Sequence, residues 1–168
     1  LIAYRDVQID VELSGWTPAD EGVLVAHGDP QGGYLLYIED AVAHLVVNSY
    51  GRFHRTSAPV PAGTDSLVVR IGASPSVRWN LALSARSGAD EVHLAELDGV
   101  VALVGMAPWT GISVGVDARG PVDPELRARR GLFRFGPALT AVTYTPGTVR
   151  VPEPVRRGLD EEAEEYAD

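Results

Sequence analysis

Residues 21–40 read EGVLVAHGDPQGGYLLYIED, two apolar runs separated by a histidine, an aspartate, a proline and a glycine pair. The runs 22–28 and 34–39 are short and rich in β-branched and aromatic residues, and turn-forming residues lie between them. Together they read as a β-hairpin, with Gly32-Gly33 supplying the positive-φ positions of its turn. Working outward, VQIDVEL (Val7–Leu13) alternates Val7, Ile9, Val11 and Leu13 against polar residues, the period of a half-buried strand. Further strands read at 42–49, 66–73, 77–85, 92–97, 100–105, 111–117 and 138–145. PAG (61–63), SG (87–88), DG (98–99) and APWTG (107–111) separate them, and Asp98-Gly99 reads as a two-residue hairpin turn. Helical signals are few: one or two turns in DPELRARRG (123–131) and a short terminal helix in GLDEEAEEYAD (158–168). Many short strands punctuated in this way specify an all-β sandwich or barrel with little helix, over residues 1–150, followed by an acidic tail over 151–168.

The central strands carry apolar residues on both faces. Strict alternation places Val23, Val25 and His27 on one side of their strand and Leu24 and Ala26 on the other. In the next strand Tyr34, Leu36 and Ile38 oppose Leu35 and Tyr37. A sandwich sheet with a solvated outer face alternates apolar with polar. Either other parts of the chain cover this second face, or a partner does.

Charge and composition narrow the classes of function. The net charge is −9, and six of the excess acids lie in DEEAEEYAD (160–168). No basic groove interleaved with aromatics is present to bind nucleic acid. No apolar run reaches the roughly 18 residues of a membrane span. With no cysteine, disulfides, thiolate metal sites and thiol nucleophiles are excluded. The chain opens on Leu1 inside what reads as a strand, which suggests a piece of a longer polypeptide.

The opening hairpin, followed by HLVVNSYG (44–51) and PVPAGTDSLVVRI (59–71), resembles the C-terminal domain of bacterial arylsulfatases. GISVGVDARGPV (111–122) is similar to that family's glycine-rich Val-Gly-x-Asp segment, and LFRFGPALTAVTYTPG (132–147) to its closing strand. The chain departs from the pattern at Glu39-Asp40-Ala41, where the family has a Lys-Asp-Gly turn, and across GASPSVRWNLALSARSGADEVHLAEL (72–97). The resemblance implies an antiparallel two-sheet β-sandwich of the jelly-roll, concanavalin A-like kind, carried after an alkaline-phosphatase-like catalytic domain. It implies a bacterial protein of the cytoplasm or cell envelope. It also implies a parent enzyme that uses formylglycine and a divalent cation, both outside this chain.

Sulfatase chemistry needs a Cys/Ser-x-Pro-x-Arg motif, whose formylglycine product attacks sulfur beside a metal. SAPVP (57–61) has Pro61 in place of the arginine, and SPSVR (74–78) has its proline one residue early. The expectation is therefore a non-catalytic domain with no cofactor of its own. His27, His44, His54 and His93 form no metal-ligand spacing, and Glu91, Glu96 and Asp98 are the only grouped carboxylates on strands.

Four residues stand out for a ligand or interface: His27, Asp29, Tyr37 and Trp109. His27 and Asp29 enter a turn, where they could hold a sugar hydroxyl or, with Asp40, a Ca²⁺ ion; Asp29 bonding its own backbone is the plainer reading. Tyr37 and Trp109 are candidates for an aromatic sugar platform, whereas Trp79 reads as core and Trp16 as a loop plug. Arg127, Arg129 and Arg130 form the single basic cluster, suited to a sulfate, to the acidic tail or to solvent. The expected function is that of an accessory domain docking on the catalytic domain of the same polypeptide or on a second subunit. The alternative is a carbohydrate-binding, lectin-like module.

Overall fold

The computed structural model describes residues 4–74, 78–101, 111–151 and Arg157. Strands β1 (Arg5–Leu13), β2 (Gly22–Asp29), β3 (Gly32–Glu39), β4 (Val42–Ser49), β5 (Arg52–Pro59) and β6 (Ser66–Ala73) come first. Then follow β7 (Arg78–Ser87), β8 (Asp90–Val101), β9 (Ile112–Val114), helix α1 (Pro124–Arg130) and β10 (Leu139–Val149). The strands make two antiparallel five-stranded sheets, ordered β10-β1-β6-β7-β8 and β5-β4-β3-β2-β9, which form the expected two-sheet sandwich.

The alternation of β1 sets the layering. Ile9 and Val11 are fully buried between the sheets, while Gln8, Asp10 and Glu12 point outward. From the facing sheet Leu36, Ile38, Leu45 and Val47 complete the same core, and Trp79 lies within it with no exposed surface, as its sequence context indicated.

Several local expectations change. The turn of the opening hairpin is Pro30-Gln31, since Asp29 pairs with Gly32; Gly32 and Gly33 lie within β3. Gly33 faces Gly28 across the ladder, and a Cβ on Gly33 would stand 2.3 Å from the His27 carbonyl oxygen. Gly33 therefore serves backbone approach, not the turn. Leu24 is an extra residue in a bulge of β2, so Val23 shares the outward face with Ala26 while Leu24 and Val25 both join the main core. Asp98-Gly99 is also a bulge and not a hairpin. Two residues oppose Asn80 within the continuous strand β8, where Gly99 takes φ +62° and its N–H donates to Asn80 Oδ1 at 2.8 Å. Strand β5 was unforeseen because RFHRTSAP is an exposed edge strand with no apolar stripe. The expected stretch 102–105 and the terminal helix at 158–168 lie outside the described residues.

The second apolar face of β2, β3 and β4 is covered by the chain itself. Residues 115–135 cross it as a strap, and Val122 and Leu126 pack with Val23, Leu35, Tyr37 and Val46, flanked by Phe133. Asp123 caps α1 by accepting from the N–H groups of Glu125 and Leu126, and Pro124 begins it. The strap is tied down at its start, where fully buried Asn48 donates to the carbonyls of Pro30 and Val122 and accepts from Gly51 N–H.

Two substitutions test these backbone assignments by urea unfolding. Gly33→Ala is expected to destabilise by more than about 3 kcal/mol or to prevent folding, because backbone and not a flexible side chain occupies the Cβ position. Ala41 holds φ +60° beside Asp40 at +52° in the two-residue turn between β3 and β4. Ala41→Gly is expected to stabilise by about 1 kcal/mol, relieving a left-handed residue that carries a Cβ.

Candidate functional site

His27 and Asp29 sit at the end of β2, both buried. Asp29 Oδ1 accepts from Gln31 N–H at 2.8 Å and Gly32 N–H at 3.3 Å, which holds the turn. The His27 ring meets Tyr34 edge-on at 5.7 Å, its Nδ1 has no hydrogen-bond partner, and burial pushes its pKa down. Tyr34 in turn shares a 2.8 Å hydrogen bond with the Tyr144 hydroxyl inside the sandwich. The pair His27 and Asp29 thus divides between core and turn.

Tyr37 lies under the strap, stacked on His44 at 4.6 Å and edge-on to Phe133 at 6.3 Å. Only 6% of its surface is exposed, so it offers no platform to a sugar ring. Trp109 lies outside the described residues. The arginines of α1 are occupied. Arg129 and Arg130 pair with Glu39, Arg130 also with Glu21, and Arg127 donates to the Asp117 carbonyl at 2.7 Å. From β5, Arg55 adds pairs to Asp123 and Glu125. The basic cluster is a set of clamps for the strap. Asp117 accepts from Val122 N–H at 2.8 Å, and burial pushes its carboxyl above the usual range.

A polar surface missed in the sequence lies across the outer face of the other sheet. Pairing aligns Thr145, Gln8, Arg70, Ala82 and Glu96 in one row across the strands. The next row holds Thr143, Asp10, Val68, Ser84 and His93, and a third holds Ala141, Glu12, Ser66, Arg86 and Glu91. Glu91 takes a bidentate pair from Arg70 and a second pair from Arg86, and Arg86 reaches Asp10 at 3.0 Å. Gln8 donates to both oxygens of Asp10. The Arg70 guanidinium, with Arg86 and the Ser84 hydroxyl, holds the Glu91 carboxyl down at about 2. Two clefts open on this face along β1. One, of about 550 Å³, is lined by Asp10, Glu12, Asp65, Arg86, Thr140 and Thr143. The other, of about 360 Å³, lies beside Asp6, Gln8, Arg70, Thr145 and Gly147.

Nothing in the sequence brings these residues together. Asp10 and Arg86 are 76 positions apart, and each reads alone as the polar half of an alternating strand. Only the strand order and register unite them. Among the described residues no three His, Asp or Glu side chains converge as metal ligands, and no helix is long and apolar enough to cross a membrane. No protein-family model matches the chain, and no curated protein does.

The buried His27 gives a pH signature. Its folded-state pKa lies below the ordinary value near 6.5, so the unfolded chain takes up a proton that the folded chain refuses. Stability is expected to be full above pH 6.5 and to fall as pH drops below it, by at most about 1.4 kcal/mol per pH unit for one proton. Urea midpoints at pH 7.5 and 5.5 check this: the difference should be smaller in His27→Gln than in the parent chain.

Proposed function

We propose that the chain is a non-catalytic β-sandwich accessory domain of an arylsulfatase-like polypeptide, held against the catalytic domain of that polypeptide or against a second subunit. The observation behind this reading is where the residues of the resemblance fall in the fold. Gly28 and Gly33 allow two backbones to meet. Asn48 of HLVVNSYG ties the first hairpin to the strap. Gly63 turns the chain toward β6 at φ +77°, and Asp117 of GISVGVDARGPV holds the strap at Val122. The shared pattern is thus a pattern of joints, which travels with an architecture and with its position in a parent chain.

The strap takes up the apolar outer face of β2–β4, so docking falls to side chains left exposed. Among the exposed large apolar side chains, which also include Tyr50, Val92, Leu132 and Val149, Ile112 and Val114 lie together on the edge strand β9, each about half exposed. In the parent enzyme the formylglycine and cation would do the chemistry, and this domain would brace the domain that carries them.

The coding sequence upstream of Leu1 is expected to contain Cys/Ser-x-Pro-x-Arg, and the whole polypeptide to hydrolyse p-nitrophenyl sulfate. Ile112→Asp together with Val114→Asp in that polypeptide should lower its Tm and its activity together. A start codon directly before Leu1, or a double variant with unchanged Tm and activity, would overturn the reading.

A further inference from the structure

We infer that Asp98-Gly99 is a site of spontaneous covalent modification, an aspartyl bond that isomerises to isoaspartyl through a cyclic imide, and that Asn80 holds this reaction back. It is the single Asp-Gly step in the chain, and it lies in the bulge of β8, an edge strand of its sheet. The reaction needs a free carboxyl, room around the next amide nitrogen, and water. Asp98 is exposed, and among the described residues its carboxylate makes no hydrogen bond or ion pair. Gly99, at φ +62°, has no heavy atom from elsewhere in the chain within 4 Å of the place a Cβ would occupy. The other aspartates that precede small residues differ. Asp40, Asp65 and Asp117 are each followed by a residue with a Cβ, which crowds the attacking nitrogen. The last two also bind the N–H groups of Gly88 and Val122 through their carboxylates.

In the reaction the Gly99 amide nitrogen bonds to Asp98 Cγ and loses its proton, while the C–OH bond of the protonated carboxyl breaks and water leaves. Water then returns at the Asp98 main-chain carbonyl, opens the ring there and leaves Gly99 joined through the side-chain carbon. Nothing but water is released or consumed, so the step runs without a cofactor, and it does not depend on a sulfatase parent. The fold opposes the first step. Gly99 N–H donates to Asn80 Oδ1 at 2.8 Å, and Arg78 Nη1 donates to the Gly99 carbonyl at 2.7 Å. Arg78 and Asn80 stand at alternate positions of β7, on one face of the strand, and hold Gly99 by both its N–H and its carbonyl. The bond to Asn80 keeps the amide proton in place and directed at β7. Attack on Asp98 Cγ must break that bond, so Asn80 is a positioning residue for a reaction it suppresses. The product lengthens the backbone by one carbon between Leu97 and Val100, both seated against the main core.

The test is prolonged incubation of the 168-residue chain at 37 °C, folded and in urea. Isoaspartate is read in the tryptic peptide 87–119 by labelling with an isoaspartyl methyltransferase and is placed by peptide fragmentation. Isoaspartate at position 98 should accumulate fastest in urea and slowest in the folded parent chain. Asn80→Ala, at an exposed position, should raise the folded-state rate about fivefold, the rate equivalent of one net hydrogen bond. Leu94→Ala, on β8 itself, removes packing against the core and leaves the Asn80 bond intact. It should lower the urea midpoint and keep the parent rate of isomerisation. The proposal is overturned by the absence of isoaspartate at position 98 in the unfolded chain, by equal rates folded and in urea, or by an unchanged rate in Asn80→Ala. Equal acceleration by Leu94→Ala and Asn80→Ala overturns it as well, because stability alone would then set the rate.

Discussion

Strands β2, β3 and β4 are apolar on both faces, and burying both is the constraint around which the remaining structure is arranged. One face meets β1, β6 and β7 in the main core; the other needs a second layer, and the strap of residues 115–135 provides it. Burial is the larger contribution. A fully buried Leu, Val or Phe is worth roughly 1.5–3 kcal/mol, whereas Arg129–Glu39 and Arg55–Asp123 each set a half-exposed arginine against a buried carboxylate, where desolvation offsets much of the attraction. The ion pairs therefore do little to hold the strap down. They fix its position, together with Asn48 and Asp117, whose directional hydrogen bonds allow Val122 and Leu126 to meet the sheet in one register.

The opposite sheet meets the solvent differently. Its outer rows are mostly polar in β1, β6 and β7, with Val68 and Ala82 the apolar members, so no apolar stripe requires a cover, and the charged side chains pair with one another in place of water. Arg70 and Arg86 close around Glu91 while Val68 and Ser84 disappear beneath them. Such a ring adds little stability at a surface. Its main effect is order: Gln8, Arg70, Arg86 and Glu91, which would otherwise sample many rotamers, are held in a fixed pattern of donors and acceptors.

The strand content, the layer pattern of β1 and the core position of Trp79 were legible in the sequence because period-two alternation is a local property. The course of β2 was not. One extra residue at Leu24 puts Val23 and Val25 on opposite faces, and bulges leave no mark in an apolar run. Asp98-Gly99 misled for a related reason, since the positive φ that suits glycine to a hairpin suits it equally to a bulge. The doubly apolar strands were visible, but their cover was not. Val122, Leu126 and Phe133 are spread through a loop and a two-turn helix with no stripe of their own. The polar face was invisible for the deepest reason: its members come from five strands, and only pairing register places Asp10 beside Thr143 and Arg86 opposite Glu91.

Once both sheets are packed on each other and the strap has closed over the second, two surfaces of unlike chemistry stand out among the described residues, beside separate exposed apolar side chains such as Tyr50 and Val92. One is the rim at β9, where Ile112 and Val114 stand half exposed on a three-residue edge strand. The other is the broad charged face along β1. They have no residue in common, and their chemistries are opposed. A partner that buried the rim would leave the face open. A domain built in this way can remain attached to a larger polypeptide on one side while presenting an ordered polar surface on another. The strap makes the separation possible, because it covers the apolar outer face of β2, β3 and β4 and keeps it out of both contacts.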